Sequence, residues 1–160
     1  MDAAWILYLA RDFQGAVEQS WRTLAMEAKF AAAQHTLGLA YEQLGLHEEA
    51  IVELQNACTC SGGHPSAMAA LGHAYATAEK QYEAADALRE LQRVSQTRFV
   101  SPYLLSIMHT GLGQDSLALE CLETAHREHD VWLAWLKVEP RFDRLRPDAR
   151  FQDLLRSMRL

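Results

Sequence analysis

Compared with itself at an offset of 34 residues, the chain returns a ladder of matches, and a fixed period of that length restricts the fold more than any other property of the sequence. Leu37, Leu71 and Leu105 fall in register. Each is followed by a small residue, Gly38, Gly72 or Ser106, and four positions later by Tyr41, Tyr75 or His109. A second ladder runs through Ala16, Ala50, Ala84 and Ala118, then Ser20, Leu54, Leu88 and Leu122, then Thr23, Ala57, Leu91 and Ala125.

Spacings of four and then three are those of one helix face, so each unit is two helices, the first carrying the Leu-Gly pair and the second the alanine series. Gly38 opposite Ala50 and Ala57 would let two antiparallel axes approach closely. A single helix pair cannot bury such a face, so pairs must stack. The punctuation agrees: Gly45 and Gly113 stand where a first helix should end, and Asp12 and Asp115 could cap a second one. Ser61-Gly62-Gly63-His64-Pro65-Ser66 ends a helix over 47–60, with Pro65 suited to the first turn of the next.

Leu-Gly-x-x-Tyr followed by Ala-x-x-x-Leu-x-x-Ala at this period resembles the tetratricopeptide repeat, over about residues 1–128, in units of about 1–28, 29–62, 63–96 and 97–128. The resemblance implies an all-α, right-handed superhelix, an α-α solenoid of about four helix pairs, with 129–160 as a C-terminal capping segment built on helices near 131–138 and 148–157. The first unit lacks its opening turn, and the fourth has Ser106 and His109 in place of Gly and Tyr. Phe99-Val-Ser-Pro-Tyr103 and the string from Trp135 to Leu155 are similar to the C-terminal end of tetratricopeptide regions attached to bacterial serine/threonine kinases, winged-helix regulators and nucleotide cyclases. No nucleotide loop, kinase catalytic string or DNA-reading helix-turn-helix accompanies them, so this second resemblance implies an accessory part of a bacterial signalling protein.

Composition narrows the partners. No apolar run is long enough to span a bilayer, and Asp2 stands where a signal peptide would be basic, which points away from the membrane and towards the cytoplasm. Three cysteines, Cys58, Cys60 and Cys121, form no disulfide framework and fit a reducing compartment. A net charge of −6 disfavours nucleic acid. That charge is unevenly spread: residues 137–160 carry seven Lys and Arg against four Asp and Glu, whereas the rest of the chain is strongly acidic.

No constellation demands chemistry. Cys58-x-Cys60-x-x-x-His64 offers three zinc donors where a closed structural site needs four. The seven histidines adjoin no nucleophile motif, and His109 reads as a half-buried ring. The basic tail interleaves Arg141, Arg144, Arg146, Arg150, Arg156 and Arg159 with Glu139, Asp143, Asp148 and Asp153. It reads as solvated ion pairs on a cap anchored by Trp132, Trp135, Phe142, Leu145, Phe151 and Leu154. No catalytic residue, metal or cofactor is expected, and the chain does not read as an enzyme; a metal-dependent enzyme is the remotest alternative.

The expected function is protein–protein interaction: a scaffold whose concave groove holds a peptide or helical segment of a partner or of a neighbouring domain. The register places Trp5, Tyr8, His35, Leu39, Gln43, His73, Thr77, Tyr103 and Ile107 on the inner face as partner-binding residues. None is Lys, Arg or Asn, which disfavours a carboxylate clamp and favours an apolar segment. The competing expectation is a structural or homo-oligomerising spacer.

Overall fold

The computed structural model describes residues 3–159. Among them the chain forms α1 (Ala3–Leu9), α2 (Phe13–Met26), α3 (Ala31–Gln43), α4 (His47–Cys60), α5 (Pro65–Thr77), α6 (Gln81–Ser95), α7 (Pro102–Gly111), α8 (Asp115–Arg127) and α9 (Ala149–Ser157). Two short 3-10 helices, Val131–Trp135 and Pro140–Leu145, lie between α8 and α9. The second helices of the four pairs begin at Phe13, His47, Gln81 and Asp115, so the 34-residue period of the sequence becomes the period of the fold.

The turn inside every pair repeats as well. Arg11, Gly45, Glu79 and Gly113, again 34 residues apart, adopt left-handed backbone with φ of 65, 76, 61 and 72°. This is the conformation that terminates a helix and reverses the chain. Glycine takes it freely, whereas Arg11 and Glu79 take it against their own Cβ.

The ends follow local chemistry. Asp12 caps α2, its side chain accepting from the Gly15 N–H at 2.9 Å. Asp115, the other expected cap, is instead the first residue of α8: Gln114 holds the cap position, and the Asp115 carboxylate pairs with Arg144 Nε at 2.9 Å. His64 and Ser101 cap α5 and α7, each before a proline in the first turn.

Between paired helices the small residues permit close approach. A Cβ on Gly38 would lie 2.6 Å from Leu54 Cγ and 3.1 Å from the Ala50 carbonyl oxygen. On Gly72 it would meet the flexible end of Met108, from the next repeat, at 2.3 Å. The buried side chains form an amino-terminal cluster around Tyr8, Leu37 and Leu54 and a carboxy-terminal one around Leu91, Ile107, Leu122, Phe142 and Phe151.

The expected helix near 131–138 is not one α-helix. Glu139 precedes Pro140 and is extended, with φ −65° and ψ 115°, because the proline ring disfavours helical backbone before it. The chain therefore breaks into two 3-10 helices, started by the Asp130 and Glu139 side chains, before α9. The break turns the tail. α9 packs on α8, while Pro140–Leu145 lies against α7 and the tail's side chains reach as far as α1.

Candidate functional site

Side chains of the tail are buried against the first helices of the first and last repeats. Glu139 is fully buried and Arg141 is 7% exposed. The Arg141 guanidinium donates to both Glu139 carboxylate oxygens, Nε to Oε1 at 2.8 Å and Nη2 to Oε2 at 2.9 Å. Tyr8, from α1 and 131 positions earlier, donates its hydroxyl to Glu139 Oε1 at 2.7 Å. At the rim Arg11 grips Asp143 through two hydrogen bonds, of 2.7 and 2.6 Å. Phe142 completes the insertion, fully buried between Tyr103, 5.3 Å away edge-on, and Phe151, 6.3 Å away.

These contacts set the electrostatics. Burial opposes the Glu139 charge, but Arg141 and the Tyr8 hydroxyl outweigh it and hold the carboxyl below its usual range. Burial, and then the Glu139 carboxylate, push the Tyr8 phenol well above its ordinary value. A buried pair with both charges compensated in this way is expensive to break from one side. The expectation that the charges of the tail are solvated therefore fails at Glu139 and Arg141. It holds for the exposed pairs Arg150–Glu123 and Arg156–Asp153.

On either side of this insertion lies a cavity. The first, about 460 Å³, is walled by Trp5, Trp132, Trp135, His35 and the first turns of α3 and α5. Trp5 and Trp135 stand almost perpendicular, at 87°, with centroids 6.2 Å apart. The second, about 230 Å³, is polar and holds Glu42, Gln43, His47, His73, Thr77, Arg141 and Arg144. There His73 Nδ1 lies 2.5 Å from Glu42 Oε1, to which Thr77 also donates at 3.0 Å. Burial works against the Glu42 charge, and His73 overcomes it, so the carboxyl is held below its usual range.

The structure distributes the nine expected groove residues among these places. Trp5 and His35 line the aromatic cavity, and Gln43, His73 and Thr77 the polar one. Tyr8 holds the tail, and Tyr103 packs between Trp132 and Phe142. Leu39 and Ile107 are fully enclosed in the two cores and offer no surface. His35 is also a weaker acid sensor than a surface imidazole: burial, and then Arg141, push its pKa down to about 4. Sequence reasoning missed Glu42, Glu139, Arg141 and His64 as residues of this junction and its two cavities. The available signal was the isolated Glu139-Pro140-Arg141 triplet between the anchors Trp135 and Phe142.

No group of three or more His, Cys, Asp and Glu among the described residues is arranged to hold a metal. Burial raises the Cys58 thiol to about 11, which suits packing better than ligation. No described helix is long and apolar enough to cross a membrane.

No family model matches the chain, and no curated protein matches it either. Solved structures do. The crystal structure of MamA superposes with a TM-score of 0.54 at 21% identity, covering 99% of this chain and 96% of that one. A tetratricopeptide repeat protein from Parabacteroides merdae gives 0.54 at 13% identity, over 97% of this chain and 61% of that one. YrrB, described as a TPR protein with an unusual peptide-binding site, gives 0.53 at 13% identity, over 96% and 79%. With helix pairs in 34-residue register and these likenesses along nearly its whole length, the chain has the fold of a tetratricopeptide-repeat solenoid.

Proposed function

We propose that this protein is a protein-interaction module whose concave groove binds an extended segment of a partner, and that residues 131–147 occupy the groove as an intramolecular ligand. One observation carries this reading: Tyr8, Tyr103 and the two cavities flank a short irregular segment held by a buried Glu139–Arg141 pair and by Phe142. A groove that engages Glu-Pro-Arg-Phe in cis has the apolar walls and hydrogen-bonding groups to hold a comparable segment in trans. The peptide-binding site ascribed to YrrB, a neighbour in fold, is consistent with that use. The groove-filling segment lies within the string that resembles the tails of bacterial signalling proteins, which supports a partner from such a system, as a neighbouring domain or a separate chain.

The reading is tested with the full chain as bait. A partner identified by capture should bind the purified wild type. It should bind several-fold more tightly to Tyr8→Phe, which removes one hydroxyl from the latch while keeping the ring, and it should be competed by a synthetic peptide of residues 129–147. A partner indifferent to both would place recognition outside the groove. A spacer role draws on a different surface: Trp21, Met26 and Val52 are exposed on α2 and α4, Met26 to 91%. Self-association in sedimentation, abolished by Met26→Glu with Val52→Glu, would favour it.

A further inference from the structure

We propose that the aromatic cavity between α1, α3, α5 and the first 3-10 helix is a binding site for a free, uncharged small molecule: a flat aromatic of about two rings that carries one hydroxyl group.

Shape is the first support. A cavity of about 460 Å³ falls within the range of roughly 300–1,000 Å³ typical of small-molecule sites. Its perpendicular indoles, Trp5 and Trp135, offer a ring one flat face and one edge. Ala31, Ala32 and Ala67 leave the opposite side open, since none has atoms beyond Cβ.

Charge is the second. No Asp, Glu, Lys or Arg lines the cavity. His35, on its wall, is kept neutral by burial and by the nearby Arg141 guanidinium, which push its pKa to about 4. A site that suppresses its own imidazolium resists a ligand cation for the same reason. A carboxylate would lie in the same apolar surroundings with no cationic side chain to meet it.

The third is a group without a partner. His35 Nε2 is shut off from solvent and has no hydrogen-bond partner of good geometry within the protein, the one backbone group that serves the ring being that of Ser66. Buried polar atoms are almost always satisfied, and a hydroxyl can serve this nitrogen in either ring tautomer, as donor or as acceptor.

The occupant is a free molecule and not a partner side chain, because the adjoining groove is filled by Glu139, Arg141 and Phe142 and a flanking backbone could not lie along it. Trp5 and His35 belong to the repeats, whereas Trp132 and Trp135 belong to the tail. A ligand touching both binds only when the tail is docked, and so stabilises that state by mass action.

The test uses the full chain and 2-naphthol, titrated calorimetrically and in thermal melts. Wild type should show one saturable site and a melting temperature that rises with ligand. The protonated 2-naphthylmethylamine and 2-naphthoate should bind at least about tenfold more weakly, as should 2-naphthol to His35→Leu, which keeps the volume and removes the nitrogen. Ala32→Phe, at an exposed helical position on the cavity wall, should fill the space and abolish binding with the circular dichroism spectrum unchanged. The proposal is overturned if wild type shows no saturable binding, if Ala32→Phe binds 2-naphthol like wild type, or if either charged analogue binds as tightly.

Discussion

The repeats and the tail solve the same problem with different contacts. From α1 to α8 each helix packs on helices one or two places along the chain, and the motif that allows this recurs every 34 residues. The tail has no period; its defining contacts, Tyr8 to Glu139 and Arg11 to Asp143, span 131 and 132 positions. A solenoid held only by neighbour contacts can fray from its ends, so a segment that ties the first repeat to the last turns an open stack into a closed unit. The difference teaches where the molecule is vulnerable: in the repeats damage is local, in the tail it is global.

The largest expected effect follows from the buried pair. Arg141→Ala leaves Glu139 enclosed with no cation, held only by the Tyr8 hydroxyl and the backbone N–H of residue 141, and removing one partner of a buried pair costs about 3–5 kcal/mol. The exposed control Arg150→Ala, which breaks only the pair with Glu123, should cost under about 1 kcal/mol. Denaturant titration checks both, and one transition is expected throughout because the tail closes the unit. A second transition in Arg141→Ala would mean that the tail detaches while the repeats stay folded.

Acid should act on the same junction. His35 has its pKa lowered from 6.5 to about 4 in the folded state, so as the pH falls the unfolded chain takes up the proton first. Stability is fully present above pH 6.5 and is lost progressively down to about pH 4, by up to roughly 3 kcal/mol. Glu42 and Glu139, held below their usual range, contribute stability that is present above the ordinary carboxylate value and lost beneath it, in the same direction. Melting temperatures should be flat from pH 8 to 7 and fall below 6.5. His35→Leu should remove the first part of that fall and keep the second. A flat profile down to pH 5 in wild type would contradict the burial of His35.

The helix pairs, their turns at Gly45 and Gly113, the break at Gly62-Gly63 and the start at Pro65 were legible because each depends on residues a few positions away. The path of the tail was not. Whether Glu139 and Arg141 face water or the groove depends on Tyr8, and no local pattern links residue 8 to residue 139. The same limit explains the expected groove residues: the register grouped Tyr8, His73 and Tyr103, but could not tell that Tyr8 and Tyr103 pack against the tail. Leu39 and Ile107 were assigned to that face by spacing alone, and packing between adjacent repeats enclosed them.

The smallest prediction compares the four turns, which are equivalent in backbone and unequal in sequence. Glu79 holds φ 61° with a Cβ that left-handed backbone disfavours, and its side chain is exposed. Glu79→Gly should therefore stabilise by about 1 kcal/mol, the relief of strain exceeding glycine's extra freedom in the unfolded chain. Gly45→Ala is the mirror experiment: nothing lies within 4 Å of the added Cβ, so any loss, again about 1 kcal/mol, is conformational and not steric. Arg11 is the position where repeat and tail compete. Arg11→Gly relieves the same strain at φ 65° but gives up the bidentate pair with Asp143, whose side chains are about half exposed, so its gain should be smaller than at Glu79 by up to about 1 kcal/mol. Equal gains at Glu79 and Arg11 would show that the rim contact adds nothing to closure, and the tail would then be held by Glu139, Arg141 and Phe142 alone.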